Sequence, residues 1–334
     1  MPGETNLELI ARLQGQIHDC IGRYIGDAPI AVVDFPDIRN CGDSAIWVGE
    51  MAYLRDRFGK RPDFAARYHD YSPERLKRAA PEGPIFIHGG GNFGDVWPGH
   101  QDFRESVLDS FPDRQVIQFP QSIKYHSDAR ADQTARAIER HKGFILLVRD
   151  QESLEFAQAR FQCETYLCPD MAFCIGPLAR RSPIDTPVLA MLRADAEKAG
   201  EQDLSAYPAL PVEDWITEDA SQVKRAKILG ALSAYAAFSP GDALFRKLDA
   251  AANTRLDRGV RQISRAQAIV TDRLHVHIIS LLLGIPHAVL DNSYGKIRRF
   301  MNAFSGTTDL AYRPSSFDDA MAWATDVARP RQAA

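Results

Sequence analysis

Pro84-Ile-Phe-Ile-His-Gly-Gly-Gly-Asn-Phe-Gly-Asp95 runs from a short apolar strand directly into a glycine cluster. Gly89, Gly91 and Gly94 satisfy the G-x-G-x-x-G spacing of a dinucleotide-binding turn, and two features disagree with that reading. Trp97-Pro98-Gly99 stands where a phosphate-capping helix should be running, and proline disfavours helical backbone at the residue before it. No acidic ribose ligand follows about 20 residues on, because the next strand ends Gln118-Phe119-Pro120. The alternative is a wide turn at the carboxyl end of a parallel strand, the edge at which α/β proteins bind ligands. Glycines there admit a ligand close to the backbone, and Asn92 and Asp95 offer it polar groups; a plain tight turn with Asp95 capping the next helix is the structural alternative.

Outward from this segment, strand-like runs at 30–35, 84–88, 115–119, 144–148 and 164–168 alternate with helix-period segments at 44–57, 101–111, 130–141 and 151–161. The alternation predicts a doubly wound α/β unit. After Pro169, Pro183 and Pro187 it resumes with 188–193, 268–270 and 288–291, so a second unit is expected, with the boundary inside 176–187. This divides the chain into residues 1–180 and 181–334, with the C-terminal helix free to pack back on the first unit. Residues 242–267 read as a helix through Leu244, Leu248, Ala251, Leu256, Val260 and Ile263. The segment 195–242 holds Pro208, Pro211, Pro240 and a helical run at 221–238, and carries no recognisable motif.

At roughly 150 residues per domain, 334 residues allow about two domains. A composition of 45% hydrophobic and 25% charged residues excludes disordered, collagen-like and coiled-coil classes. The 40 basic and 44 acidic residues leave a net charge of −4, so bulk electrostatics draws in neither nucleic acid nor an anionic surface, and any anion must be held by a few local cations. Five cysteines without paired two-residue spacing read as reduced thiols. The N-terminus lacks the order of a signal peptide, and the apolar stretch 276–290 is interrupted by Gly284, Pro286 and His287, so a cytoplasmic protein without a transmembrane segment is expected.

Two constellations carry chemistry. Asn40-Cys-Gly-Asp43 after the first strand and Pro120-Gln-Ser122 after the third should reach the same sheet edge as the glycine segment. Asn40, Asp43, Asn92, Asp95 and Gln121 then form a polar rim of carbohydrate size, although Asn40 to Asp43 read equally well as a helix cap. In the second half, Ala268-Ile-Val-Thr-Asp-Arg-Leu-His-Val-His277 reads as a strand, a cap and a helix start. With Thr271 or Asp272 as N-cap, Arg273, Leu274 and His275 occupy a first turn whose open N–H groups favour phosphate or carboxylate; otherwise Arg273 serves an ordinary ion pair. His275 and His277 lie about 200° apart around a helix, so no metal site is expected from them. Arg193 ends its strand either at a crevice mouth or paired to Asp195; Arg149 reads as structural beside Asp150, and Lys296 as a residue closing over a phosphate.

Taken in order, Asn40-x-Gly-Asp43, His88-Gly-Gly-Gly-Asn-Phe-Gly-Asp95, Pro120-Gln-Ser122, Val148-Arg-Asp150, Pro169-Asp170, Asp272-Arg-Leu-His275 and Tyr294-x-Lys296 resemble the polysaccharide pyruvyl transferases over nearly the whole chain. The resemblance implies a GT-B-like fold, two doubly wound Rossmann-like domains facing a central cleft. It implies transfer of pyruvate from phosphoenolpyruvate to a sugar of an exported polysaccharide or its lipid-linked precursor, giving a ketal and phosphate with no further cofactor. Arg273, Leu274 and His275, with Arg193 and Lys296, would bind the donor, and Asp95 would face the acceptor sugar. His275 as acid and Asp95 as base, or the reverse, would serve the chemistry, unless His275 only binds phosphate. Peripheral association with the inner membrane face and a homo-oligomer are both compatible with such a protein. The competing readings are a GT-B glycosyltransferase using a nucleotide sugar and a non-catalytic carbohydrate-binding protein.

Overall fold

The computed structural model describes residues 3–194, 202–238, 242–291 and 295–329, so Asp195 and Tyr294 lie outside the described residues. Apolar runs form β1 (Ala31–Val33), β2 (Phe64–Ala66), β3 (Ile85–Ile87), β4 (Gly90–Gly94), β5 (Val116–Lys124), β6 (Phe144–Val148) and β7 (Glu164–Leu167). They make one all-parallel sheet in the order β2-β1-β3-β5-β6-β7, with β4 on β5. β2 was not legible beforehand, because three residues show no period. The chain enters a second parallel sheet at β8 (Thr186–Met191) and continues through β9 (Val212–Glu213), β10 (Ala266–Thr271), β11 (His287–Val289) and β12 (Ala311–Tyr312), ordered β12-β11-β10-β8-β9.

Each order reverses once, between β1 and β3 in the first sheet and between β8 and β10 in the second. A crevice opens at such a switch point because the loops leaving the two carboxyl ends run to opposite faces. The residues after β1 and β3 therefore share one crevice, and Arg193 and Arg273, which follow β8 and β10, share another.

The largest apolar cluster belongs to both halves of the chain. Trp47 and Leu54 of α2 (Cys41–Phe58) join Leu248 and Val260 of α8 (Ala243–Ser264) and Ile278 of α9 (Leu274–Leu283). The N-terminal helix α1 (Asn6–Ile21) also crosses over: Asn6 Nδ2 donates to the Leu281 carbonyl at 3.4 Å and Arg12 Nη2 to that of Phe304 at 2.9 Å. The C-terminal helix, the element expected to return to the first unit, instead lays Phe317, Met321 and Ala324 on β8, β10 and β11. Those three residues form a single apolar stripe, and its own sheet already covers it.

The glycine-rich segment is not a turn. After Ile87 the chain re-enters the sheet as β4, beside the far half of β5, with the register shifting between Gly90 and Phe93. β5 likewise runs on beyond Phe119, and Pro120, which has no N–H, sits where the β5–β6 register shifts between Gln118 and Gln121. Gly94 adopts φ 125°, and a Cβ there would collide with the Lys124 carbonyl, so glycine is required.

His277 is buried away from the crevices. Its Nδ1 meets His287 Nε2 at 2.7 Å, and its Nε2 meets Ser305 Oγ at 2.8 Å. Burial lowers both imidazole pKa values, that of His287 to about 4 and that of His277 well below its ordinary value, where His287 adds to the effect. The unfolded chain takes up protons near pH 6.5 that the folded chain refuses. Stability from this pair is therefore fully present above about pH 6.5 and is lost as pH falls toward about 4. Thermal melts should show the melting temperature dropping across that window, and dropping less steeply for His287→Gln; equal slopes would exclude the pair as the source.

Candidate active site

The two crevices open into one cleft of about 530 Å³. Its cationic side is built around β8 and β10. Arg273 has extended backbone (φ −111°, ψ 122°) and is itself the N-cap of α9, because β10 continues through Thr271. This corrects the expected placement in the first turn: Thr271 Oγ1 accepts from Arg273 N at 3.0 Å, and Leu274 opens the helix. Arg273 Nη2 donates to Asp214 Oδ2 at 2.6 Å. Asp214 belongs to the stretch in which no motif was recognisable, and so does Trp215, which also lines the cleft. Arg193 is brought to the same wall by its backbone N–H, which donates to Asp272 Oδ1 at 2.8 Å.

Arg149 also lines the cleft, and so was undervalued by the sequence reading. Asp150 caps the following helix through Ser153 N. The Arg149 side chain instead donates from Nη1 to Asp170 Oδ2 at 2.5 Å and from Nε to Ser122 Oγ at 3.1 Å. A Cβ at Gly91 would lie 3.1 Å from Arg149 Nη2 and 3.4 Å from Lys296 Nζ, so both cations come up to the bare backbone of β4. His275, in the first turn of α9, has Nε2 3.4 Å from Asp170 Oδ2. Burial alone would raise the Asp170 pKa, but His275 and Arg149 together hold this carboxylate well below its usual range. Gly42 lies so close to the His275 ring that a Cβ would overlap it.

The opposite side comes from β1, β3 and α2. His88 Nδ1 donates to Glu50 Oε2 at 2.9 Å, and Glu50 Oε1 accepts from Gly89 N at 2.9 Å, with both side chains buried. His88 lines the cleft, and its Nε2 has no hydrogen-bond partner among the described residues. Burial works against a charged imidazole here, but the adjacent carboxylate outweighs it and raises the His88 pKa. A second such pair, His100 Nδ1 to Asp34 Oδ1 at 2.8 Å, stands on Asp34, whose φ of 68° is strained for a residue with a Cβ. Asp43 lines the cleft from the first turn of α2; Asn40 lines it too while its Oδ1 caps Gly42 N at 3.0 Å. Trp97, half exposed at the mouth, offers an aromatic face.

Two expected rim residues are elsewhere. Asp95 is absent from the cleft lining; its oxygens accept from His126 N and Ser127 N at 2.8–2.9 Å, which makes it the cap of a neighbouring loop. Gln121 is fully buried because β5 runs through it. Its Oε1 accepts from Asn92 N at 3.0 Å, and its Nε2 donates to the His88 carbonyl and Asn92 Oδ1, so it braces Asn92 rather than meeting a ligand. Asn92 itself lines the cleft. Arg104, buried so deeply that its pKa falls to about 10, donates to the same Asn92 Oδ1 at 2.9 Å.

The pairs His88–Glu50 and His100–Asp34 escaped the sequence reading. His88 stood inside the glycine motif, but its partner is 38 residues away, and the partner of His100 is 66 away. No spacing rule reaches that far.

Comparison with known proteins gives one consistent answer. The family description polysaccharide pyruvyl transferase matches residues 40–294. Pyruvyl transferase 1 of Schizosaccharomyces pombe is 34% identical over 301 residues, covering 84% of this chain and 71% of the relative. The Bacillus subtilis protein EpsO, provisionally named a pyruvyl transferase, is 28% identical and covers 82% and 85%. A functionally uncharacterised Klebsiella pneumoniae protein of known crystal structure shares the fold, with a TM-score of 0.62 at 17% identity over 91% of this chain and 99% of that one.

Proposed function

This chain belongs to the polysaccharide pyruvyl transferase family, and on that premise we propose that it moves the pyruvyl unit of phosphoenolpyruvate onto two hydroxyls of one sugar. The sugar belongs to a polysaccharide or its lipid-linked precursor, and the products are a cyclic ketal and phosphate. The supporting observation is the convergence of Arg149, Arg193, Arg273 and Lys296 on a cleft whose other side holds His88–Glu50, His100–Asp34 and Asp43.

Phosphoenolpyruvate presents a phosphate and a carboxylate a few ångströms apart. Guanidinium forks match both groups, and the open N–H groups of the α9 N-terminus add to them. In this reading the donor lies with the second sheet and the acceptor with the first, the division of labour of a GT-B enzyme. With Asp95 capping a loop, the base passes to His88, which lines the cleft, whose Nδ1 is tied to Glu50 and whose buried Nε2 makes no hydrogen bond among the described residues. One sugar hydroxyl adds to C2 and gives its proton to His88, while C3 takes a proton from His275. The C2–O bond to phosphate then breaks with its electron pair. The second hydroxyl attacks the resulting cation, and its proton leaves with the phosphate. Each proton transfer contributes about 10² to 10⁴ in rate.

Incubation with phosphoenolpyruvate and a panel of hexosides tests the reading: phosphate should be released, and one acceptor should gain the mass of a pyruvyl unit. A nucleotide sugar that raises the melting temperature while phosphoenolpyruvate leaves it unchanged would point to glycosyl transfer instead. Gly42→Ala should push the His275 ring aside and weaken phosphoenolpyruvate binding by about tenfold to a hundredfold with the fold retained, because small displacements of a positioned group carry penalties of that size. Calorimetric titration reads this directly, and unchanged affinity would separate His275 from the donor.

A further inference from the structure

Next to the cleft, one helix is turned inside out. α7 (Ala220–Ala236) packs on α8 with its buried side, Val223, Gly230 and Ala234. Its large apolar side chains point the other way: Ile228, Leu229, Leu232 and Tyr235 are 50–61% exposed, and Phe238 just beyond is 95% exposed. At 100° per residue, Lys224, Tyr235, Ile228, Leu232 and Arg225 fall within about 100° of arc, with Leu229 about 40° beyond its edge. A surface helix ordinarily turns such a stripe to the core, and a contiguous exposed one marks a contact surface.

Charge selects the occupant. Residues 220–238 contain Lys224, Arg225 and Lys227 and no acidic residue, in a chain whose net charge is −4. Lys227 turns inward, its Nζ 2.7 Å from Asp37 Oδ1 on the cleft wall, and so fixes α7 beside the cleft. Lys224 and Arg225 remain on the outer stripe. Apolar residues, exposed aromatics and flanking cations are what an in-plane helix needs at the headgroup level of an anionic bilayer. Among the described residues no helix is long and apolar enough to cross a membrane, so attachment through them lies on the surface.

We propose that the outer face of α7, with Phe238, docks this protein on an anionic lipid surface and so holds the mouth of the cleft at the bilayer. That the docking serves a lipid-linked acceptor rests on the pyruvyl-transfer reading; the docking itself does not.

Flotation with phosphatidylglycerol–phosphatidylcholine vesicles, against phosphatidylcholine alone, tests it on the whole protein. Binding should require the anionic lipid and weaken with salt. It should fall by about fivefold for each of Lys224→Ala and Arg225→Ala, and by more than about tenfold for Leu232→Glu/Phe238→Glu. Phosphate release with a soluble hexoside should be unchanged in all these variants. No binding to anionic vesicles, or full binding by the Leu232→Glu/Phe238→Glu variant, overturns the proposal. So does a dimer that this variant converts to monomer, which would assign the face to a second copy. Vesicle binding without phosphate release by the unaltered protein would leave the docking standing and remove pyruvyl transfer.

Discussion

Arg273→Lys is expected to lower phosphoenolpyruvate affinity by more than about tenfold and kcat/KM by about a hundredfold or more, although the charge is kept. Arg273 is held by position as well as by charge: it is the N-cap of α9, is almost wholly buried, and commits Nη2 to Asp214. A planar fork can keep that bond and still present a second N–H edge to a phosphate or carboxylate, which a single ammonium cannot reproduce in the same place. Asp214 is itself nearly buried, so a poorly placed lysine leaves it under-paired, at a stability cost of about 1–3 kcal/mol. Calorimetric titration and thermal melts separate the two effects. Donor affinity equal to that of the unaltered protein would remove Arg273 from the donor site, whatever the melting temperature did.

For the His88–Glu50 pair the expected loss is in turnover. His88→Gln should reduce kcat by about 10² to 10⁴ with phosphoenolpyruvate affinity nearly unchanged, because in the proposed reading the donor lies on the arginine side of the cleft and His88 on the other. Glu50→Gln adds a readout that a purely structural role would not give. The Glu50 carboxylate raises the His88 pKa against the effect of burial, so its removal should move the acidic limb of the pH–rate profile to lower pH. A base is active only when deprotonated, and a lower pKa extends its activity toward acid. A limb that stays in place, or a His88→Gln variant with full turnover, would return the base assignment to Asp43 or to the His100–Asp34 pair.

The cationic side of this cleft was largely legible in advance and the opposite side was not. Arg193 and Arg273 each stand two residues after the end of a strand, at Met191 and Thr271, with His275 two residues further on, and strand ends are where a parallel sheet presents its ligands. Local sequence also gave His277 no site role. It misplaced Asp95 and Gln121 because both judgements assumed that the strands stop at the glycines and at Pro120. The two strands instead continue as a bulged parallel pair, β4 on β5, whose register is set by partner strands rather than by their own residues. Two residues of extra pairing are enough to bury a side chain that a turn would have exposed.

By itself, then, the sequence determined most of the longer strands and helices, though not β2 or β4, that the sheets are parallel, and which cations follow the strand ends, because hydrophobic period, caps and prolines act within a few residues. Tertiary structure alone decided that Asp170 would serve both Arg149 and His275, that Glu50 would hold His88, and that Asp214 would hold Arg273. It also decided that α1 rather than the C-terminal helix would bridge the two sheets, and that α7 would turn its large apolar side chains to solvent. These outcomes depend on contacts between residues as many as 292 positions apart. Such contacts are set by how whole faces bury one another, and no local pattern encodes which face meets which.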